Sequence, residues 1–368
     1  MKNTEFRISL LGGKLMGGVF LLISFFVAVS ATAQTEVEPF VPGSTLEGVT
    51  YYLPRTAFRV TVIAEKTTIR PGDFYKYADR YLRLQNVPTE ESVQWKLKSI
   101  MLEPFGKPDK NKAYSIKIKS KTVAPLVGLS RDGLLLSINT DADESFLPDL
   151  PKPEKGQAPE NPRSYMTQEI LAAGSTAKMA ELCAQEIYDI RESKNALIRG
   201  EADNTPKDGA QLKLMLEQLD KQASVLESLF SGTSQTDTEV FSLFYDPQQE
   251  TDRDILFRFS QKLGVLDADN LAGEPVTVSV KVLETIPTTV SSEDAAKKRA
   301  KMEHGVYYNI PARTKLNIKY NGQEFVSMET PMAQFGIVEI LSNTLFDKKT
   351  STQVTFFQAT GGTKDVME

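Results

Sequence analysis

The chain has 368 residues, a formal net charge of −5, one cysteine and one histidine. A mildly acidic chain is not built to hold nucleic acid. A lone cysteine has no partner for a disulfide, and a single histidine without a second histidine or cysteine cannot make a zinc site of ordinary composition. Stability must therefore come from hydrophobic cores, and the length is enough for two.

The chain opens with Lys2, Arg7 and Lys14 ahead of the apolar run Leu15 to Val29, which is followed by Ala31-Thr32-Ala33. This is the pattern of a secretory signal peptide over residues 1–33. The alternative, an uncleaved membrane anchor, asks for a longer apolar run. No cysteine follows the run to serve as a lipid attachment site, so the mature chain is expected to begin at Gln34. Losing Lys2, Arg7, Lys14 and Glu5 removes a net charge of +2 and leaves −7. The expected address is the cell envelope, periplasmic or associated with the outer membrane, non-lipidated and without a stable membrane span.

Residues 34–140 read as a β-rich domain. In GVTYYLPRTAFRVTVIAEK, Phe58, Val60 and Val62 alternate with Arg59 and Thr61, the period of a half-buried strand. DFYKYADRYLRL is a short helix that would lay Phe74, Tyr77 and Tyr81 or Leu82 on the sheet. VQWKLKSIML and AYSIKIK read as two further strands, the second with Tyr114, Ile116 and Ile118 inward. Asp132-Gly133 predicts a type I′ hairpin. Residues 141–164 hold Pro148, Pro151, Pro153, Pro159 and Pro162 among charged and small residues, the composition of a linker or long loop with polyproline II character.

Residues 165–232 change period. Met179, Leu182, Cys183, Ile187, Ile190 and Leu197 recur every three or four positions, and so do Leu212, Leu216, Leu219, Ala223, Leu226 and Phe230, which predicts two amphipathic helices. Gly200 suits the left-handed residue that ends the first. Thr205 before Pro206, with Asp208 at the third helical position, would cap the second. At about 1.5 Å per residue each helix is roughly 35 Å long. The polar turn GEADNT folds them into an antiparallel hairpin whose stripes face each other or a sheet.

Residues 233–368 return to β-structure through TEVFSLFYD, ILFRFSQ, PVTVSVKVLETI, TKLNIKYNGQEFVSM, FGIVEIL and TQVTFFQA. Asn321-Gly322 predicts a second type I′ hairpin. One short helix runs from Ser291 and Asp294 to Gly305, ending after His304. GVTYYLPRT at Gly48 and GVYYNIPART at Gly305 share Gly-Val, a tyrosine at the fourth place (Tyr51, Tyr308), an aliphatic at the sixth (Leu53, Ile310) and then Pro54 or Pro311, which points to related β-folds. The fold class is thus α+β, two β-rich, sandwich-like regions flanking an antiparallel two-helix hairpin.

The residues that could carry chemistry each have a structural reading as well. His304 sits at a helix C-terminus, where the helix dipole favours it, and Cys183 lies on the apolar face of its helix as a small buried hydrophobe. Asp246, Glu250, Asp252 and Asp254, then Asp267 and Asp269, then Asp141, Asp143 and Glu144 form three acidic clusters. Clustered carboxylates can hydrolyse glycosides or bind calcium, yet none fits a calcium-loop pattern. Tyr51, Tyr52, Tyr307 and Tyr308 could form a sugar-stacking platform or pack in a core. Lys297, Lys298, Arg299 and Lys301 make a basic patch or a solvated helix face. No catalytic, cofactor or metal residue is assigned from this set.

The segments YYLPRTAFRVTVIAEKT, AKMAELCAQEIYDIRESKNALIRGEADN, PKDGAQLKLMLEQLDKQASVLESLF and GVYYNIPARTKLNI, together with the leader, give the chain a resemblance over nearly its whole mature length. It resembles the family catalogued as domain of unknown function 4831, exported proteins of Bacteroidetes-type bacteria, with the PKDG-to-LF segment the most specific part. The resemblance supports the envelope address and brings no activity or site residue. Two function classes are expected: a non-enzymatic binding or scaffolding protein that meets an envelope protein partner through the helical hairpin, or a carboxylate-dependent hydrolase or binding protein for glycan. The first is favoured, because the titratable groups lie in separate segments and catalysis needs them gathered.

Overall fold

The computed structural model describes residues 36–40, 48–117, 126–203, 206, 208–284, 305–342 and 352–367. The leader, Ile118, Thr205, the short helix with His304 and the basic patch 297–301 lie outside the described residues.

The α+β class read from the sequence holds, with three antiparallel sheets and a helical layer among the described residues. The first sheet has the order β1 (Glu36–Pro39), β3 (Ser92–Lys117), β2 (Val49–Arg70), β6 (Thr233–Tyr245). The second runs β11 (Gln323–Leu341), β10 (Val306–Tyr320), β9 (Glu274–Val282), β7 (Thr251–Ser260), β8 (Gly264–Leu266). The third runs β13 (Thr363–Met367), β12 (Gln353–Phe356), β5 (Leu135–Ile138), β4 (Val127–Leu129). Strands from 34–140 and 233–368 therefore share the first and third sheets, with β6 paired to β2 from Phe58↔Tyr245 to Arg70↔Thr233.

Alternation decides which faces meet. Phe58, Val60, Val62 and Ala64 of β2 pack with Leu97 and Ile100 of β3 against Phe257, Phe259, Val276, Val278, Leu316 and Ile318 of the second sheet. This first core is built from both ends of the chain. A second core lies at one end of it, where Tyr51, Leu53 and Ile116 meet Val306 and the inner face of the third sheet, Leu135, Ile138, Val354 and Phe356. Burying each large side chain in such a core is worth about 1.5–3 kcal/mol.

Four sequence expectations change in detail. VQWKLKSIML and AYSIKIK are one strand, β3, of 26 residues, because β2 is long enough to pair with both. The Asp132-Gly133 turn is not type I′: only Gly133 has a positive φ, 79°, and Gly133 N donates to Ser130 O at 2.9 Å, so the loop holds three residues and ends in a glycine bulge. The short helix α1 (Ala78–Leu82) packs on the helical layer and not on the sheet: the Phe74 ring lies 5.4 Å from that of Phe230, and Phe74 N donates to Leu229 O at 2.7 Å. The second long helix starts later than expected. Asp208 is its cap, accepting from Ala210 N at 3.0 Å, since a carboxylate is the stronger acceptor at a helix N-terminus. Asn321-Gly322 does form the expected turn, with φ values of 48° and 77°.

The remaining helices, α2 (Gln168–Leu171), α3 (Thr176–Arg199) and α4 (Gly209–Ser231), complete the helical layer. Ala180, Cys183, Ile187 and Ile190 of α3 close on Leu226, Leu229 and Phe230 of α4, so the two stripes bury each other with α1. The proline-rich stretch is a long loop held against the first sheet. Arg59 donates to Pro148 O, Thr238 N donates to Glu154 O at 2.7 Å, and Gly156 N donates to Asp237 Oδ1 at 2.9 Å.

The repeated motif marks equivalent irregularities. In β2–β3 the pairing stops at Tyr52↔Ala113 and resumes at Pro54↔Pro108, leaving out one residue of the first strand and Asp109 to Lys112 of the second. In β10–β11 it stops at Ile310↔Ile337 and resumes at Ala312↔Met332, leaving out one residue and Ala333 to Gly336. The likeness ends with the hairpins. The third strand beside β2, β6, follows its hairpin in the chain, whereas β9 precedes β10. A proline at such a break loses no ladder hydrogen bond.

Candidate functional site

The two interruptions fall where the first core gives way to the second, and the groups released from β11 help to hold this waist together. Gln334, freed from the ladder, accepts from Thr56 N at 3.0 Å and donates to Thr56 O at 3.0 Å. Thr56 Oγ1 donates to Ala359 O at 3.0 Å and accepts from Ala333 N at 3.1 Å. The loop between β12 and β13 is pinned from the other side. Asn309 N donates to Gly361 O at 3.0 Å, and Asn309 Nδ2 donates to Pro54 O at 3.0 Å and to Thr360 O at 2.9 Å. Gly361 has a φ of 69°, and a Cβ there would stand 2.7 Å from Pro54 Cδ.

Beside this loop lies a cleft of about 520 Å³ with walls from Pro104, Tyr308, Ile310, Pro311, Pro331 and Phe357. Asn309, Thr330, Thr360 and Thr363 add its polar points. Asn309 is buried, and its Oδ1 has no hydrogen-bond partner among the described residues. The Tyr308 phenol is held above its ordinary value by burial and then by the Glu339 charge, so it stays neutral and able to donate. Across Pro104, Phe357 and Ala359 the cleft adjoins a second depression of about 400 Å³ that includes Phe105 and Phe146. A third, of about 350 Å³, shares Ser145, Phe357 and Gln358 with the second and carries Asp141, Asp143, Glu144, Lys364 and Asp365.

The carboxylates singled out in the sequence go to different places. Asp246 pairs with Arg55 at 3.2 Å and Lys107 at 2.8 Å, and Asp252 pairs with Lys281 at 3.2 Å. Glu250 accepts from Val282 N, and Asp254 accepts from Tyr245 Oη at 3.2 Å. Asp267 lies in a tight turn, where its carbonyl accepts from Asn270 N at 3.1 Å, and Asp269 belongs to the same loop. Only Asp141, Asp143 and Glu144 border a depression at the waist. Among the described residues no group of three His, Cys, Asp or Glu side chains is gathered as a metal site.

The four tyrosines do not form one platform. Tyr51 is buried, Tyr307 stacks on Tyr114 at 4.2 Å, and the Tyr52 ring lies over Gly133. Tyr308 alone lines the cleft. Cys183 is buried in the helical layer, where desolvation and then Glu186 push its thiol up to about 12, so it is not poised as a nucleophile. His304 and the cluster Lys297, Lys298, Arg299 and Lys301 lie outside the described residues.

Sequence reasoning did not find the cleft, because its walls come from Pro104 and from three separate segments, 308–311, 330–331 and 357–363, none of which states its neighbours. The signal it left is the prolines inside long strands, of which Pro108, Pro311 and Pro331 stand at or next to an interruption of pairing, whereas Pro104 lies in a paired stretch.

The family model described as a domain of unknown function (DUF4831) matches residues 47–364, and the chain belongs to that family. No curated protein and no solved structure matches it. No helix among the described residues is long and apolar enough to cross a membrane.

Proposed function

We propose that the protein is an exported, non-lipidated binding protein of the cell envelope that takes up an apolar ligand in the waist cleft and does not transform it. The observation that carries this reading is the lining: apolar walls, a few hydroxyls, and no carboxylate, amine or imidazole among the described lining residues. Proton transfer or covalent catalysis calls for titratable groups held together at the reacting atoms. Binding calls for apolar walls with a small number of polar anchors. The glycan hydrolase reading has less support, since it needs two carboxylates about 5–9 Å apart in one cleft. The acidic groups of 246–254 are each spent on a separate ion pair or hydrogen bond, and of those that share the third depression Glu144 is held by Arg131 and Asp365 by Thr355.

Titration with the neutral fluorophore N-phenyl-1-naphthylamine tests the reading. Wild-type protein is expected to give a saturable rise in emission, and Thr363→Trp, which places an indole in the cleft, is expected to lose it while keeping the native circular dichroism. No saturable binding, or equal binding by the filled variant, contradicts the proposal. For the export step, the mass of the native protein should correspond to a chain beginning at Gln34.

A second reading, scaffolding through the helical hairpin, rests on Ile198 and Leu214, which are 59% and 57% exposed. Leu219 belongs to the helical core, so Leu214→Asp is the variant to use in pull-downs from envelopes. Loss of a partner in that variant alone would assign the contact to the hairpin.

A further inference from the structure

The cleft does not stand by itself. Three depressions of about 520, 400 and 350 Å³ follow one another, and each shares lining residues with the next, through Pro104, Phe357 and Ala359 and then through Ser145, Phe357 and Gln358. Phe357 is common to all three and is 51% exposed, and Phe146, over the middle one, is 65% exposed. Large aromatic side chains left open along a groove mark a contact surface.

Charge distinguishes the two ends. The first depression has no charged lining residue among those described, and in the second Glu103 is paired with Arg59 at 2.6 Å, whereas the third has Asp141, Asp143, Glu144 and Asp365 against Lys364. A second cation at this end is Arg131. Its guanidinium lies 5.1 Å from the Phe146 ring centroid and 3.7 Å from Glu144, and its side chain is 82% exposed. An ion pair that exposed contributes little and is readily exchanged for another cation. The chain thus already shows the contact a visiting cation would make, over the Phe146 face and beside Glu144.

We infer that the groove receives a peptide segment of a partner protein, with apolar side chains in the first two depressions and a Lys or Arg at the acidic end. This rests on the binding reading above and narrows it. A row of separate depressions fits side chains spaced along a chain better than one compact molecule. Charge complementarity sets the direction in which the segment lies, and it excludes an anionic ligand such as a phosphate or fatty acid from the acidic end.

Selection from a phage-displayed library of random dodecapeptides against the full mature chain tests the inference. Selected peptides are expected to carry Lys or Arg close to Phe, Leu or Pro. A synthetic copy of the strongest should displace N-phenyl-1-naphthylamine and lose affinity about tenfold against a variant with Asp141→Asn, Asp143→Asn and Glu144→Gln at low salt. Phe357→Ala should weaken it as well. Peptides without a cationic preference, or affinity unchanged by neutralising the three acids, would overturn the inference. So would a fluorophore that binds and is displaced by dodecyltrimethylammonium but by no selected peptide, an outcome that leaves the cleft reading standing. Failure of the fluorophore itself to bind removes both.

Discussion

The Tyr51 hydroxyl accepts from Tyr307 N at 2.9 Å and donates to Tyr307 O at 3.2 Å, so a side chain of one hairpin completes the backbone of the other. Both residues belong to the repeated motif, and the bond joins its two copies. Tyr51→Phe deletes two hydrogen bonds in a water-free place while keeping the ring, and should cost about 1–3 kcal/mol of stability. Urea denaturation at equal protein concentration measures it, and a loss within error of zero would show that the contact holds nothing.

Alkaline pH should unfold the second core before it affects the helical layer. Burial raises the Tyr51 and Tyr114 phenols above 10.0, whereas in the unfolded chain they ionise near pH 10. A raised folded value means that their contribution is complete below about pH 10 and is lost as pH rises through the folded values. Tyrosinate absorbance should therefore rise together with loss of β-sheet signal. Independent, reversible titration of all tyrosines near pH 10 would contradict this.

Much of this fold was legible because its signals are local. The α3 and α4 stripes, the Gly200 cap and the Asn321-Gly322 turn each need only a few neighbouring residues to be read. The pairing of Phe58 with Tyr245 could not be read, since nothing in either strand states its partner. The site was hidden for the same reason, with one exception. Counting from Gly48 and Gly305, Asn309 stands where the first copy has Tyr52, and that divergent position is the one whose amide ties β10 to the β12–β13 loop beside the cleft.

Cys183 should be silent in the native protein. With its thiol buried and pushed up to about 12, iodoacetamide at pH 8 should label it only after denaturation. Rapid stoichiometric labelling of the native chain would mean that α3 and α4 open readily.

Gly72 reports how the helical layer is attached to β2. A Cβ there would stand 2.2 Å from Leu229 O, a backbone atom that cannot step aside without moving α4. Gly72→Ala should cost about 1–3 kcal/mol through overpacking, and thermal unfolding followed by circular dichroism at helical wavelengths will detect it. An unchanged midpoint would place the attachment of α4 to β2 elsewhere.

Hydrogen–deuterium exchange with a saturating selected peptide tests the waist cleft as the binding site most directly. Ligand in the cleft should protect the amides of residues 308–310 and 357–363, with little change over 187–219. Protection confined to α3 and α4, or none at the waist despite saturation, would contradict the account.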